Sequence, residues 1–118
     1  RSGAPRLAAA RMELEIHGVD AASSIRRAYR QSVGRYRVCH EAALSQKSTS
    51  ASAGQRTVNG YWVGRIVHGG GGHICGVEVV HTTLPIDMSA CLQRAVRRQR
   101  PVGGEAGKLE VVLTFYEP

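Results

Sequence analysis

The spacing of apolar residues changes several times along this chain, and each spacing fits a different element of secondary structure. Met12–His17 alternates strictly between apolar and polar residues, which is the pattern of a half-buried strand. From residue 25 to residue 44 apolar residues instead recur every three or four positions, which predicts a helix of about five or six turns. Gly34 lies within this segment and marks a position where the helix can break. The apolar stripe consists of Ile25, Ala28, Tyr29, Val33, Tyr36, Cys39, Ala43 and Leu44.

The second half of the chain shows the same two patterns in another order. Val58–Val67 and Ile74–Val80 are apolar runs joined through four consecutive glycines, which predicts a β-hairpin. A second amphipathic helix follows Pro85 and ends before Pro101, and the alternating segment Leu109–Phe115 closes the chain as a strand. We therefore predict an α+β fold, in β-α-β-β-α-β order, with two helices packed on one face of a small antiparallel sheet.

The length of 118 residues is that of a single domain. We expect residues 12–118 to form it and residues 1–11, which are rich in alanine and arginine, to be a tail or linker. Because the chain begins with Arg1 rather than Met, we expect a processed product or a fragment of a longer chain. No apolar stretch approaches the ~18–20 residues that span a bilayer.

Positive charge is concentrated on the two predicted helices. The chain carries 16 Lys and Arg against 9 Asp and Glu, a net charge of +7. Between residues 25 and 47 six basic residues accompany one acidic residue, and between residues 92 and 100 four arginines accompany none. Such charge suits nucleic acid, anionic lipid or an acidic protein surface, and charge alone does not choose among them. The candidate basic surface comprises Arg26, Arg27, Arg30, Arg37, Arg94, Arg97, Arg98 and Arg100.

Residue types that could support catalysis or metal binding occur without the spacing that either requires. Structural zinc sites use ligand pairs in each of two knuckles, and the predicted hairpin offers only a loose cluster. That cluster is His68, His73, Cys75 and His81. Gly69–Gly72 lacks the Lys-Ser/Thr ending of a phosphate-binding loop, and Cys39 and His40 point about 100° apart on a helix. We expect no enzyme activity, no cofactor, no metal and no small-molecule substrate.

The cysteines allow two structural interpretations. Cys39 lies on the apolar stripe of the first predicted helix and Cys91 on that of the second. If both helices pack on the same sheet, the two sulfurs can approach bonding distance. The alternative is a pair of buried free thiols, because a reduced cysteine behaves as a small apolar residue. The residue pattern leaves both open, and in either case we expect Cys75 to be a packed thiol.

Five segments between residues 24 and 116 carry a resemblance to a known family. They are Ile25–Arg27, Tyr36–Leu44, Gly76–Leu84, Cys91–Arg98 and Val111–Tyr116. The second segment is close to an Arg-x-Cys-Tyr-Glu-x-Ala-Leu pattern, with a histidine in place of the aromatic residue, and the fourth contains Cys-Leu-x-x-Ala. Together they resemble the AgmX/PglI C-terminal domain of myxobacterial cell-envelope proteins, which is related to the TonB C-terminal domain. The four-glycine turn and the Arg-Pro dipeptide after the second helix depart from that family.

The resemblance implies a TonB-C-like fold, an exported protein and a Cys39–Cys91 disulfide. It also implies a non-catalytic interaction or structural module of a Gram-negative cell-envelope assembly, located in the periplasm or envelope. The partners would be proteins of an envelope, secretion or motility assembly, with self-association as a further expectation.

TonB-like domains bind partners partly by adding a strand at a sheet edge. The last strand is short, terminal and amphipathic, so we expect it to be that edge, with Met12–His17 as the alternative at the opposite edge. The expected partner-binding residues are Leu109, Val111, Val112, Leu113, Thr114, Phe115 and Tyr116.

Two other functional classes compete with this interpretation. A basic nucleic-acid-binding domain could use the arginine-rich helix faces, although aromatic residues make up only 5% of the chain and no RNA-binding motif is present. A small hydrolase or metal enzyme would need a catalytic constellation that the sequence does not display.

Overall fold

The computed structural model describes residues 11–18, 23–49, 59–99 and 106–116. These ranges contain four strands, three α-helices and a 3-10 turn at Gly70–Gly72. In chain order the elements are β1 (Arg11–His17), α1 (Ser23–Gln31), α2 (Val33–Thr49), β2 (Gly60–His68), β3 (Ile74–Thr82), α3 (Ile86–Arg97) and β4 (Gly107–Tyr116). The predicted α+β class, with helices against an antiparallel sheet, is confirmed. The predicted tail lies outside the described residues except for Arg11, which belongs to β1.

The first predicted helix is divided into α1 and α2. The break lies at Ser32 rather than at Gly34. The Ser32 N–H approaches the carbonyls of Ala28 and Tyr29 at 3.2 and 3.1 Å, and its Oγ donates to the Ala28 carbonyl at 3.0 Å. A serine hydroxyl that bonds the carbonyl four residues earlier competes with the helical ladder and bends the helix.

The four strands form one antiparallel sheet in the order β1-β4-β2-β3. β4 pairs with β1 on one side and with β2 on the other, so that Leu113 lies opposite both Leu14 and Trp62. The expectation that Leu109–Tyr116 is an edge strand is therefore wrong. The chain returns after α3 to the middle of the sheet, and a strand that is last in sequence becomes central in space. β1 and β3 are the two edges.

The core lies between the helices and one face of the sheet. Alternate residues of β4 are buried on this face, from Leu109 to Phe115, and Trp62 of β2 is fully buried beside them. The main buried side chains from the helices are Tyr29, Tyr36, Cys39, Met88, Leu92 and Val96. Two buried phenols have polar partners, since the Tyr29 hydroxyl lies 2.9 Å from His68 Nε2 and the Tyr36 hydroxyl donates to Gln99 Oε1 at 2.6 Å.

A disulfide joins the two longer helices. Cys39 of α2 is bonded to Cys91 of α3, with their Cα atoms 5.8 Å apart and 52 positions between them in sequence. The bridge implied by the family resemblance is confirmed. It is compatible with an exported protein, because disulfides persist mainly in oxidising compartments. Cys75 is an exposed free thiol, so the expectation that it is packed is wrong.

Candidate functional site

The two edge strands differ in regularity. The pairing of β3 with β2 shifts register twice, between Val63 and Gly64 and between Val67 and His68. β1 pairs with β4 without a shift along its whole length. Bulges increase the local twist of a strand and discourage further pairing at its edge. β1 is therefore the edge at which a further strand is more easily added.

The backbone hydrogen bonds show which groups of β1 face this edge. The Tyr61 N–H donates to Thr83 Oγ1 and the Tyr61 carbonyl accepts from the Thr83 N–H, both at 3.0 Å, so Tyr61 bonds toward β3. Residues in a strand bond alternately to either side, so Thr114, which lies opposite Tyr61, bonds toward β1. Thr114 lies opposite Glu13 of β1, so Glu13 bonds toward β4. By the same alternation, the N–H and C=O groups of its neighbours Met12 and Leu14 point away from β4.

Arg26 supports this direction independently and covers one end of the edge. Its guanidinium donates to the carbonyls of Ile16 at 3.2 Å and Gly18 at 3.1 Å. Residues i and i+2 of a strand present their carbonyls to the same side. The carbonyl of Leu14 therefore points to the same side of β1 as that of Ile16, which is the side on which Arg26 lies. Arg26, expected on the basic surface, is instead half-buried and bonded to backbone. Within the part of the chain that the structure describes, the open part of the edge is residues 11–15.

The side chains of the open segment give it an acidic outer face. Glu13 and Glu15 are exposed, whereas the intervening apolar residues are half-buried toward the helices. The Tyr116 hydroxyl donates to Glu13 Oε1 at 3.1 Å, and this hydrogen bond raises the pKa of Tyr116 above its ordinary value. The Arg11 guanidinium lies 5.0 Å from the centre of the Tyr116 ring. An added strand with basic side chains on this face would find complementary charge.

A second concave feature, which we call the α2–α3 groove, lies above the disulfide. It has a volume of about 590 Å³. It is lined by Arg35, Val38, Cys39, Cys91, Arg94, Ala95 and Arg98. Val38, which contributes to this lining, is 60% exposed. The Arg35 side chain crosses between the helices, because its Nη1 donates to the Arg98 carbonyl at 3.2 Å.

The remaining arginines of the predicted basic surface are exposed on the helices. These are Arg27, Arg30, Arg37, Arg94, Arg97 and Arg98, whereas Arg100 lies outside the described residues. Sequence reasoning did not single out Arg35. The available signal was its position four residues before Cys39, together with Arg94 and Arg98 at three and seven residues after Cys91. On helices these intervals place all three arginines on the sides that carry the sulfur atoms.

The hairpin histidines do not converge on one point. His68 is buried and bonded to Tyr29, whereas His81 stacks on an exposed tyrosine of β2. His73 Nε2 lies 3.5 Å from Cys75 Sγ at the other end of the hairpin. Among the described residues, no three side chains of His, Cys, Asp or Glu are grouped closely enough to hold a metal ion.

The chain matches none of the family models, curated proteins or solved structures with which it was compared. None of the helices in the described ranges combines the length and apolarity that crossing a bilayer requires. The two candidate binding surfaces of the described residues are the open segment of β1 and the α2–α3 groove.

Proposed function

We propose that this protein is a non-catalytic interaction module of a Gram-negative cell-envelope assembly and that it binds a protein partner by strand addition to β1. The disulfide between α2 and α3 supports an exported location. The segments that resemble the AgmX/PglI C-terminal domain, and through it the TonB C-terminal domain, support the envelope assignment and a partner within such an assembly.

The observation that carries the proposal is the outward direction of the Met12 and Leu14 backbone groups on an edge without register shifts. A partner strand would accept from the two N–H groups and donate to the two carbonyls. Each such hydrogen bond contributes about 0.5–1.5 kcal/mol net, so the affinity must also come from side chains. Glu13 and Glu15 select basic residues on the outer face, and Met12 and Leu14 offer half-buried apolar surface on the other.

A proline at an outward-facing position of β1 distinguishes strand addition from other modes of binding, because proline has no N–H to donate to an added strand. In Leu14→Pro the lost N–H faces outward, so the β1–β4 ladder is retained while an added strand loses a donor. Leu14→Ala is the matched control, because it removes the same side-chain packing and keeps the N–H. A photo-crosslinking residue placed at Glu15 in cells that make the protein reports partner contact in each background.

We expect the Glu15 crosslink to a partner in the unmodified and Leu14→Ala proteins and its loss in Leu14→Pro. The same photo-crosslinking residue at Val80, on the opposite edge strand β3, should not give that partner. Equal crosslinking in the proline and alanine proteins, with both folded by circular dichroism, would contradict strand addition at β1.

Nucleic-acid binding is the second candidate, and the charge of the helices favours it. Glu41 and Asp87 are the only acidic residues of α1, α2 and α3. Besides Arg26 and Arg35, these helices carry five exposed arginines, and the exposed Arg98 directly follows α3. Binding of a labelled oligonucleotide with a steep dependence on salt concentration would support this candidate.

A further inference from the structure

We propose that the α2–α3 groove is a second binding site, specific for an extended peptide segment rich in carboxylates. This site goes beyond strand addition at β1 and does not depend on it. α3 packs over β3, at the opposite side of the sheet from β1. One partner could therefore use both surfaces, or two partners could use one each.

The charge of the groove is of one sign. Three guanidinium groups line it, from Arg35, Arg94 and Arg98, and no acidic residue of the described ranges does. Arg35 is held at the C-terminal end of α3 by its hydrogen bond to the Arg98 carbonyl. That contact uses Nη1 and leaves the other donors of its guanidinium for a ligand, and guanidinium groups bind carboxylates through two parallel hydrogen bonds.

The spacing of the arginines fits an extended chain. Arg98 is the C-cap of α3 and lies one helical turn after Arg94, a spacing at which Cβ atoms are about 5–6 Å apart. Alternate residues of an extended peptide lie about 6.6 Å apart on the same side. Carboxylates at positions i and i+2 can therefore meet these two arginines together, and Arg35 can receive a third acidic group across the groove.

The shape and lining of the groove favour a peptide over nucleic acid or a membrane. Its apolar lining is the disulfide with Val38 and Ala95, which suits an aliphatic side chain or a peptide backbone. Single-stranded nucleic acid is bound through stacking on exposed aromatic rings, and none of the described residues that line this groove is aromatic. A concave site of about 590 Å³ matches a short segment of chain better than the flat surface of a bilayer.

The test compares two sets of substitutions that remove the same charge. The groove substitutions, which remove all three guanidinium groups of its lining, are Arg35→Gln, Arg94→Gln and Arg98→Gln. Arg27→Gln, Arg30→Gln and Arg37→Gln remove three exposed charges elsewhere on the helices. The probe is a fluorescein-labelled ten-residue peptide of alternating Glu and Ser, measured by fluorescence anisotropy on the disulfide-bonded chain.

We expect the groove substitutions to weaken peptide binding at least about tenfold, and the control substitutions to weaken it less than about threefold. Arg94→Gln with Arg98→Gln alone, which keeps the Arg35 contact with backbone, should give most of the loss. Amide NMR shifts on titration should centre on Val38 and Ala95.

Three results would overturn the proposal. The first is equal weakening of peptide binding by the groove and the control substitutions, which would show attraction to net charge alone. The second is no binding of the peptide at low salt. The third is groove-dependent binding of a ten-nucleotide oligothymidine, or of phosphatidylglycerol vesicles, that is tighter than that of the peptide. Crosslinking at Glu15 of β1 would be unaffected by any of them, so failure here is distinguishable from failure of strand addition.

Discussion

Removal of the Cys39–Cys91 bridge should lower the free energy of unfolding by several kcal/mol. The bridge closes a loop of 52 residues, for which the chain-entropy account gives a stabilisation of about 4 kcal/mol at 25 °C. The effect comes mainly from the unfolded chain, which gains conformational freedom once the bridge is absent. Divided by an unfolding entropy of about 2.1 cal/mol/K per residue, this loss lowers Tm by roughly 16 °C.

Urea unfolding of the double variant Cys39→Ala, Cys91→Ala measures this loss directly. Its m-value should also rise, because an unfolded chain without the bridge exposes more surface. Cys75→Ser is the control, since that thiol is exposed and free, and it should change stability by less than about 0.5 kcal/mol. If the double variant loses less than about 1 kcal/mol of unfolding free energy, or if its m-value is unchanged, the bridge does not act by restricting the unfolded chain.

Three further perturbations test other parts of the fold. Gly64→Ala should lower the free energy of unfolding, measured with urea, by about 1–3 kcal/mol, because the added methyl group would lie 2.6 Å from Cζ3 of the buried Trp62 indole. An unchanged free energy of unfolding would show that the ring can move away. Arg26→Ala should cost about 1–2 kcal/mol and accelerate amide exchange at the C-terminal end of β1, since two carbonyls lose a charged donor; uniform exchange rates would argue against that contact. Burial raises the pKa of both Tyr29 and Tyr36, so the folded protein keeps protons that the unfolded chain loses above about pH 10. The contribution of these tyrosines to stability should therefore be fully present below that pH and fall above it by at most about 1.4 kcal/mol per pH unit for each tyrosine. Urea titrations that stay flat between about pH 9 and pH 11 would contradict this.

The sequence predicted the elements of the fold better than their arrangement. The period of the apolar residues located all four strands, because burial on one face imposes a local pattern. The order of strands in the sheet depends on contacts distant in sequence, and the terminal position of Leu109–Tyr116 was a poor guide to it. A partial signal was available in the outward residues, because β1 carries Glu13 and Glu15 along its length, whereas β4 is charged at Lys108 and Glu110 but uncharged from Val112 onward. Charged residues are typical of edge strands.

The candidate surfaces were predictable to different degrees. The pairing of Cys39 with Cys91 followed from the family resemblance, whereas helical periodicity alone left it open. The importance of Arg35 emerges only when two helices from distant parts of the chain lie side by side. The bond from Arg26 to the end of β1 could not be foreseen either, because charge density alone does not distinguish a guanidinium that faces solvent from one that binds backbone.

Amide hydrogen exchange of the isolated protein, followed by NMR, tests the assignment of β1 as the open edge most directly. We expect an alternating pattern along β1, with slow exchange at Glu13 and Glu15 and fast exchange at Met12 and Leu14, and uniformly slow exchange along β4. Slow exchange at Met12 and Leu14, or an alternating pattern along β4 instead, would contradict it.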